Sequence, residues 1–145
     1  MRSVVTLPWP GPALSPNARP GHWGQRKRAV ENYRHAAAVL TLEQIDHRRR
    51  RLLATGAAIM VDLEFVPPKN HKYDLDNLFG RMKAGLDGIA QALGVDDCVF
   101  RVGEVSLLGA VAQHAGEVKV TLTPRDRDIT IEHDDGKTTR MHIRP

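Results

Sequence analysis

Strict alternation of apolar and polar side chains marks one segment near the middle of the chain. Every odd-numbered residue from 57 to 65 is apolar, whereas the even-numbered ones include Asp62 and Glu64. Because successive side chains of a β-strand point to opposite faces of the sheet, this pattern predicts a half-buried strand with both acidic residues on its outer face. Shorter apolar runs predict further strands at residues 4–7, within CVFRVGEVSLLGAVA and in GEVKVTLTP.

Two longer segments have the periodicity of helices. Residues 28–53 contain neither glycine nor proline, and their apolar side chains recur at helical spacing, so they predict a first helix with an arginine cluster near its C-terminal end. Residues 76–93 predict a second helix, which Gly94 ends. The order β, α, β, α and then β predicts an α+β (mixed α/β) fold, in which two main helices pack on a small sheet.

The length and composition fit one domain. The chain has 145 residues, of which 41% are apolar and 26% charged. We expect a domain over residues 1–124 and an extension over 125–145, either a β-hairpin turning at Asp135 and Gly136 or a loosely ordered tail. No run approaches the ~20 apolar residues of a membrane span, and the N-terminal segment is too rich in proline for a signal peptide. With Cys98 as the only cysteine, we expect a cytoplasmic protein without a membrane partner.

Positive charge is concentrated in the first third of the chain. The net charge is +4, but residues 1–51 hold ten lysines and arginines against three acidic residues, whereas the remainder holds eleven against fourteen. Such clustering favours a polyanionic partner, since each neutralised phosphate releases counterions. A solvated helix end is the alternative explanation of the arginine run.

The second predicted helix carries a polar stripe beside its apolar face. At about 100° per residue, Lys83 and Asp87 fall within about 40° of Asp76, and Asp74 lies just before the helix. Clustered carboxylates without histidine or cysteine favour Mg²⁺ or Mn²⁺, ions that promote the hydrolysis of phosphodiesters. A nearby lysine can stabilise the phosphate oxygens in such a reaction. The alternative is structural, because aspartate is a favoured N-cap residue and Lys83 with Asp87 makes an ordinary i,i+4 ion pair.

Small residues and a second acidic pair add two constraints. Gly80, Ala84 and Gly88 form a strip along the helix that lets another backbone, from the same chain or a partner, come close. Asp96 and Asp97 follow the helix, and a continuous helix would hold them roughly 25 Å from its start. One shared site would therefore require a dimer or a helix that ends earlier.

Three segments together resemble the RusA-type Holliday junction resolvases, small endodeoxyribonucleases common in phages and prophages. The segment VTLPWPGPALSPN is similar to the first strand and proline-rich loop of that family, DLDN to its D-x-D-N motif, and VDDCVF to its later acidic pair. The resemblance spans roughly residues 4–123, so it covers most of the chain apart from the tail.

The resemblance implies a RusA-like dimeric fold and Mg²⁺- or Mn²⁺-dependent cleavage of four-way DNA junctions in recombination, repair or phage DNA processing. It implies metal-binding aspartates at Asp74, Asp76 and one of Asp96 and Asp97, of which we favour Asp97. The catalytic lysine of the family falls on Gly80 here. Because KAGLDG resembles the family's lysine segment displaced by three residues, we assign the lysine's role to Lys83.

A junction resolvase also needs cations that bind the DNA backbone. We expect a homodimer in the bacterial cytoplasm, that of the host if the protein is phage-encoded. Two alternatives stay open: a junction-binding or nucleic-acid-binding protein without cleavage, in which Gly80 marks the loss of the catalytic lysine, and a metal-dependent nuclease acting on other branched DNA. The candidate DNA-binding residues are Arg26, Lys27, Arg28, Arg48, Arg49, Arg50, Arg51, Lys72 and Arg81.

Overall fold

A four-stranded mixed sheet forms the centre of the molecule, whose computed structural model describes residues 1–16, 23–125 and 127–143. The spatial order is β1-β4-β2-β3, in which β4 pairs antiparallel with both β1 and β2, whereas β2 and β3 are parallel. The predicted α+β class with a small sheet is confirmed. The strands are β1 (Ser3–Pro8), β2 (Ala58–Val66), β3 (Phe100–Leu107) and β4 (Glu117–Arg125).

Four helices pack with this sheet, because each of the two predicted helices is divided in two. The first is divided into α1 (Trp23–Gln44) and α2 (His47–Thr55), and the second into α3 (Leu75–Gly80) and α4 (Lys83–Leu93). Helices α3 and α4 form the crossover that the parallel pair of β2 and β3 requires. Short 3-10 turns occur at Pro12–Leu14 and Asp97–Val99.

The first division occurs at Asp46, whose backbone is extended at φ −65° and ψ 160°. Its carboxylate accepts a hydrogen bond of 2.9 Å from the backbone N–H of Arg49, so Asp46 is the N-cap of α2. The prediction that the arginine run lies at the end of one long helix was wrong. Capping by the aspartate side chain competes with continuation of α1, and the arginines instead begin a new helix.

The second division occurs at Arg81 and Met82. The N–H of Arg81 is shared between the carbonyls of Asn77 and Leu78, and Met82 donates to Phe79 over 3.0 Å. These short-range hydrogen bonds tighten the end of α3 into a 3-10 turn before Lys83 begins α4. A single helix over residues 76–93 was therefore wrong, and the helix that starts at the DLDN motif ends early.

Helix α4 ends at Gly94, as predicted. Gly94 is left-handed at φ +71°, and the N–H of Val95 donates to the carbonyl of Ala90 while Gly94 donates to Gln91. This pair of hydrogen bonds is a Schellman motif, which glycine makes without steric cost. The motif turns the chain, and the 3-10 turn that follows packs against α4.

The core lies between one face of the sheet and the helices. The alternation predicted for β2 is confirmed, since Ile59, Val61, Leu63 and Phe65 are at most 1% exposed. Asp62 and Glu64 lie on the opposite face, where Asp62 Oδ1 accepts a 2.7 Å hydrogen bond from the N–H of Glu104. This hydrogen bond lies where the register between β2 and β3 shifts. Asp62 therefore supports a β-bulge.

The strip of small residues spans α3 and α4, and at Gly88 it receives α1 of the same chain. A Cβ atom at Gly88 would overlap the carbonyl oxygen of Arg34 and lie 2.8 Å from the Cβ of Ala37. A Cβ atom at Gly80 would lie 3.1 Å from the side chain of Pro16. The sequence allowed a close approach by a backbone of the same chain or of a partner. The approach within the same chain is present, and it packs α4 tightly against α1.

The C-terminal segment is a β-hairpin made by β5 (Arg127–Glu132) and β6 (Thr138–Ile143). Gly136, at φ +78°, donates to the carbonyl of His133 in the turn between them. The turn lies where Asp135 and Gly136 predicted it, while the division into residues 1–124 and an extension stays a prediction. No helix in the described ranges has the length and apolar character needed to cross a bilayer.

We predict that Gly88→Ala destabilises the fold by about 2–3 kcal/mol, because the new methyl group must separate α4 from the backbone of α1. Gly24→Ala is the matched control: Gly24 is also helical, but a Cβ there meets nothing within 4 Å, so we expect a gain of about 0.5–1 kcal/mol. Urea unfolding at equilibrium measures both. Equal stability of the two variants would contradict the packing described.

Candidate active site

Lys83 lies between two carboxylates. Its Nζ is 3.5 Å from Asp87 Oδ1 and 3.4 Å from Asp97 Oδ2. The pair with Asp87 is the i,i+4 contact that the sequence predicts on a helix. The pair with Asp97 joins residues 14 positions apart and depends on the fold.

Asp97 reaches Lys83 because the chain reverses at Gly94. The reversed segment is stabilised by Asp96, whose Oδ1 accepts a hydrogen bond of 2.9 Å from the N–H of Cys98. The backbone carbonyl of Asp96 in turn accepts from Val99. The estimate of roughly 25 Å assumed a straight helix from Asp76 onward. For Lys83 and Asp97 that distance does not apply, because α4 begins at Lys83 and the chain folds back after α4.

The two carboxylates favour the protonated form of the lysine. The negative charge of Asp87, followed by the hydrogen bond to Asp97, raises the pKa of Lys83 above its ordinary value. Lys83 is therefore a cationic hydrogen-bond donor at neutral pH and does not act as a general base.

The pKa values of the neighbouring Asp96 and Cys98 are shifted in opposite directions. Hydrogen bonds donated by Cys98, first from its backbone N–H, lower the pKa of Asp96, which stays ionised at neutral pH. The side-chain hydrogen bond to Asp96 raises the pKa of the Cys98 thiol. Because the thiolate is the nucleophilic form, this environment does not activate Cys98.

Asp74 and Asp76 lie at the start of α3. Asp74 is the N-cap residue, and its Oδ1 accepts a 3.0 Å hydrogen bond from the N–H of Asp76. Both side chains are exposed, and Asp76 lies in the first turn, where a negative charge suits the helix dipole. The structural role that the sequence allowed for this pair is therefore present, and it leaves Asp74 Oδ2 and the Asp76 carboxylate exposed.

The predicted metal ligands are not gathered into one cluster. Across residues 1–16, 23–125 and 127–143 no three histidine, cysteine, aspartate or glutamate side chains are grouped as metal ligands. In the same ranges no hydrogen bond or ion pair joins Asp74 or Asp76 to Asp96 or Asp97. The carboxylates stand in two groups, one at the start of α3 and one around Lys83, and their common metal site stays a prediction.

The N-terminal loop is attached to the junction between α3 and α4. Asn77 Oδ1 accepts a hydrogen bond of 2.8 Å from Ser15 Oγ, and Arg81 Nη1 donates to the carbonyl of Pro10 over 3.3 Å. The side chain of Pro16 covers Gly80. A side chain at position 80 would therefore require a small shift of Pro16.

A cavity of about 590 Å³ lies beside this junction. Its wall is mainly apolar, but Lys83, Asp87 and Asp97 form part of it. The same three residues line a second, shallower concavity of about 440 Å³. Arg26, a candidate DNA-binding residue, lines the larger cavity and donates to the carbonyl of Ser15 over 3.2 Å. Sequence patterns did not indicate this cavity, whose lining residues are Leu14, Pro16, Arg26, Val30, Phe79, Gly80, Lys83, Ala84, Leu86, Asp87, Asp97, Phe100 and Val102.

The arginine run on α2 divides into structural and exposed members. Arg49 pairs with Asp46 at 3.5 Å, and Arg50 donates to the carbonyl of Leu42 over 3.0 Å. Arg48 and Arg51 are exposed and have no ion pair within the described part of the chain.

The remaining candidate DNA-binding residues differ in exposure. Lys27 and Arg28 on α1 and Lys72 in the loop before α3 are exposed, while Arg81 is partly buried against Pro10. DNA contacts by all of these residues stay predictions, and the exposed ones are placed to make them.

One relative is close enough to define a family. A protein of Xylella fastidiosa strain Temecula1, described as an uncharacterized protein, is 37% identical over 147 residues, which cover 97% of this chain and 86% of that protein. No family model matches the chain.

We predict that Asp87→Asn lowers the pKa of Lys83, because the charge of Asp87 is the main cause of its increase. NMR titration of lysines labelled at the ε-carbon measures this value. Because the pKa of Lys83 is higher in the folded protein, its ion pairs add to the free energy of unfolding at every pH below 10.5, the ordinary pKa of lysine. This contribution is lost as the pH rises through the pKa of the folded state. Asp135→Asn, which removes the partner of Lys137, should leave Lys83 unchanged. An unchanged Lys83 pKa in Asp87→Asn would contradict the described geometry.

Proposed function

The chain belongs to the same family as the Xylella fastidiosa protein, and we propose that it is a divalent-metal-dependent endonuclease selective for four-way DNA junctions. The observation that carries this proposal is the contact between Lys83 and Asp97. The resemblance to RusA-type resolvases assigns both residues to catalysis from motifs that are separate in the sequence. Their contact places both residues in one local site, as the resemblance leads us to expect.

The displaced lysine supports the same proposal. Pro16 occupies the space beside Gly80, where the resolvase family carries its lysine, and Lys83 supplies an ammonium group at the start of α4. Asn77 of the DLDN motif binds Ser15 of the proline-rich loop. Two motifs of the resemblance are thus parts of one local structure, as a shared catalytic site requires.

The carboxylates have the donor chemistry of a Mg²⁺ or Mn²⁺ site, since hard oxygen ligands suit both ions. Asp74, Asp76 and Asp97 are the proposed ligands. Asp97 is favoured over Asp96 because it is the member of the acidic pair that lies beside Lys83. Because the two groups of carboxylates are not joined within one described chain, we propose that formation of a RusA-like homodimer or binding of the junction completes the site.

Lys83 acts in this proposal as a positioned cation. Asp87 and Asp97 flank its ammonium group at 3.5 and 3.4 Å before DNA binds. A non-bridging phosphate oxygen then accepts a hydrogen bond from Nζ, which stabilises the negative charge that develops at phosphorus as water attacks. A bound divalent ion would supply further charge neutralisation and a water molecule of lowered pKa.

The basic half of the chain supplies the affinity for DNA. Lys27, Arg28, Arg48 and Arg51 are exposed, and their charges attract phosphates independently of sequence. Several exposed cations suit a four-way junction, because its four duplex arms all present phosphate backbone to the protein. We place the protein in the bacterial cytoplasm, in recombination, repair or phage DNA processing.

A junction-binding protein without cleavage is the second candidate. The separation of Asp74 and Asp76 from Asp97 favours it, because a binding protein needs no assembled metal site. In that case the ion pairs of Lys83 are structural and Gly80 marks the lost catalytic lysine. The third candidate, a metal-dependent nuclease for other branched DNA, differs from the junction nuclease and from the binding protein in the DNA that it cleaves.

We predict that the purified protein with Mg²⁺ nicks a synthetic four-way junction symmetrically, and that Asp76→Asn abolishes the products. Lys83→Ala should lower the single-turnover rate by about 10²–10³, the usual loss of one transition-state donor. Lys137→Ala is the matched control, since Lys137 also pairs with an aspartate but lies in the hairpin.

The outcomes separate the candidates. Unchanged cleavage by Asp76→Asn would contradict the proposed site. Tight junction binding without products in either Mg²⁺ or Mn²⁺ would instead favour the binding protein. Faster cleavage of flaps than of junctions would favour a nuclease for other branched DNA.

We further predict that Arg48→Gln combined with Arg51→Gln weakens binding to all DNA sequences alike. If each arginine binds one phosphate, the slope of log K against log salt falls in magnitude by about 2, since each contact contributes about 0.9. Fluorescence anisotropy at several salt concentrations measures the slope, with Lys137→Gln as the control. An unchanged slope would exclude α2 from the DNA interface.

A further inference from the structure

Three exposed apolar side chains lie close together in the sequence at the end of β3. Leu107, Leu108 and Val111 are 38%, 44% and 56% exposed, and they lie within five consecutive residues. Scattered apolar residues on a surface need no explanation, but a contiguous group often marks a contact with a partner. We refer to residues 107–111 as the apolar ridge.

The backbone of the apolar ridge is held in place although its side chains are in water. The N–H of Leu108 donates to the carbonyl of Phe65 over 2.8 Å, and the N–H of Ala110 donates to Asn70 Oδ1 over 3.0 Å. The carbonyl of Val111 accepts a hydrogen bond from His114. A surface held in this way loses little conformational entropy when a partner binds.

Positive charge flanks the apolar ridge. Asn70, which binds its backbone, lies in the loop that carries Lys69 and Lys72, both of which are exposed. The same loop leads directly into Asp74. The apolar ridge therefore lies at the carboxyl ends of the parallel strands β2 and β3, beside the loop that leads to Asp74, whereas Asp97 lies just before the start of β3.

We propose that Leu108 and Val111 insert at the branch point of a four-way junction, against bases that are not fully stacked, while Lys69 and Lys72 bind the flanking phosphates. This inference rests on the proposed function and names the residues that distinguish a junction from a duplex. Apolar side chains enter a duplex only at the cost of unstacking a base step. At a branch point that cost is lower, so the same contact favours the junction.

The charges favour DNA over a second copy of the chain as the partner of the apolar ridge. A symmetric contact between two ridges would bring the same lysines towards each other, which is unfavourable. A junction offers the complement of both features, since its phosphates are anionic and its exposed base faces are apolar.

The test uses a junction with 2-aminopurine at the branch point, whose fluorescence rises when the base unstacks, with Ca²⁺ in place of Mg²⁺ to limit cleavage. The variant is Leu108→Ser combined with Val111→Ser. Leu42→Ser is the control, because Leu42 is 51% exposed but lies on α1, away from the apolar ridge. Junction and duplex affinities, oligomeric state and melting temperature are measured for each protein.

The wild type and Leu42→Ser should raise the fluorescence, whereas the double variant should lose most of this rise. Its preference for junction over duplex should fall by about tenfold, the scale expected for lost apolar contacts with bases. Leu108→Phe, which restores an apolar surface, should retain the signal. Because the substituted side chains are exposed, the melting temperature should stay unchanged.

Three results would overturn the inference. Wild-type fluorescence and preference in the double variant would remove the apolar ridge from recognition and leave the proposed function intact. Dissociation of a wild-type dimer by the same substitutions would assign the ridge to a contact between copies. A wild-type protein without preference for junctions would contradict both the inference and the proposed function.

Discussion

The contact between α1 and α4 at Gly88 is the constraint on which the site depends. The backbone of α1 approaches so closely that position 88 has no space for a side chain, and this contact fixes both the position and the rotation of α4. Buried residues such as Ile89 then face the core, while Lys83 and Asp87 are held towards the cavity. The Schellman motif at Gly94 returns the chain to α4 and brings Asp97 to the same ammonium group.

At the centre of the resulting site is the ammonium group of Lys83, which pairs with the carboxylates of Asp87 and Asp97. The two carboxylates flank Lys83 and raise its pKa, but its side chain is 76% exposed and an ammonium group has three N–H donors. A phosphate can therefore bind Nζ while both ion pairs persist, and we propose that Asp97 offers its other carboxylate oxygen to a metal ion shared with Asp74 and Asp76. The N-terminal loop, which Asn77 and Arg81 hold against the junction of α3 and α4, supplies the opposite wall of the cavity.

The sequence predicted features that depend on local periodicity. It located the buried face of β2, the end of α4 at Gly94, the contact of Lys83 with Asp87 and the close approach at Gly88. It failed at two breaks within the predicted helices. The side chain of Asp46 caps a new helix instead of continuing α1, and short-range backbone hydrogen bonds at Arg81 and Met82 separate α3 from α4. The contacts of Lys83 with Asp97 and of Asn77 with Ser15 join distant segments, so no pattern within either segment could reveal them.

We propose that Asp74 and Asp76 share one metal ion with Asp97, although they lie in separate groups in the single chain. Paramagnetic broadening of backbone amide signals by Mn²⁺, measured by NMR with and without a four-way junction, tests this claim directly. With the junction, we expect the amides of residues 74–76 and 96–97 to broaden together at the same low Mn²⁺ concentration, and Asp97→Asn to remove both effects. Broadening of only one group, or independent titration of the two groups with the junction bound, would contradict a shared site.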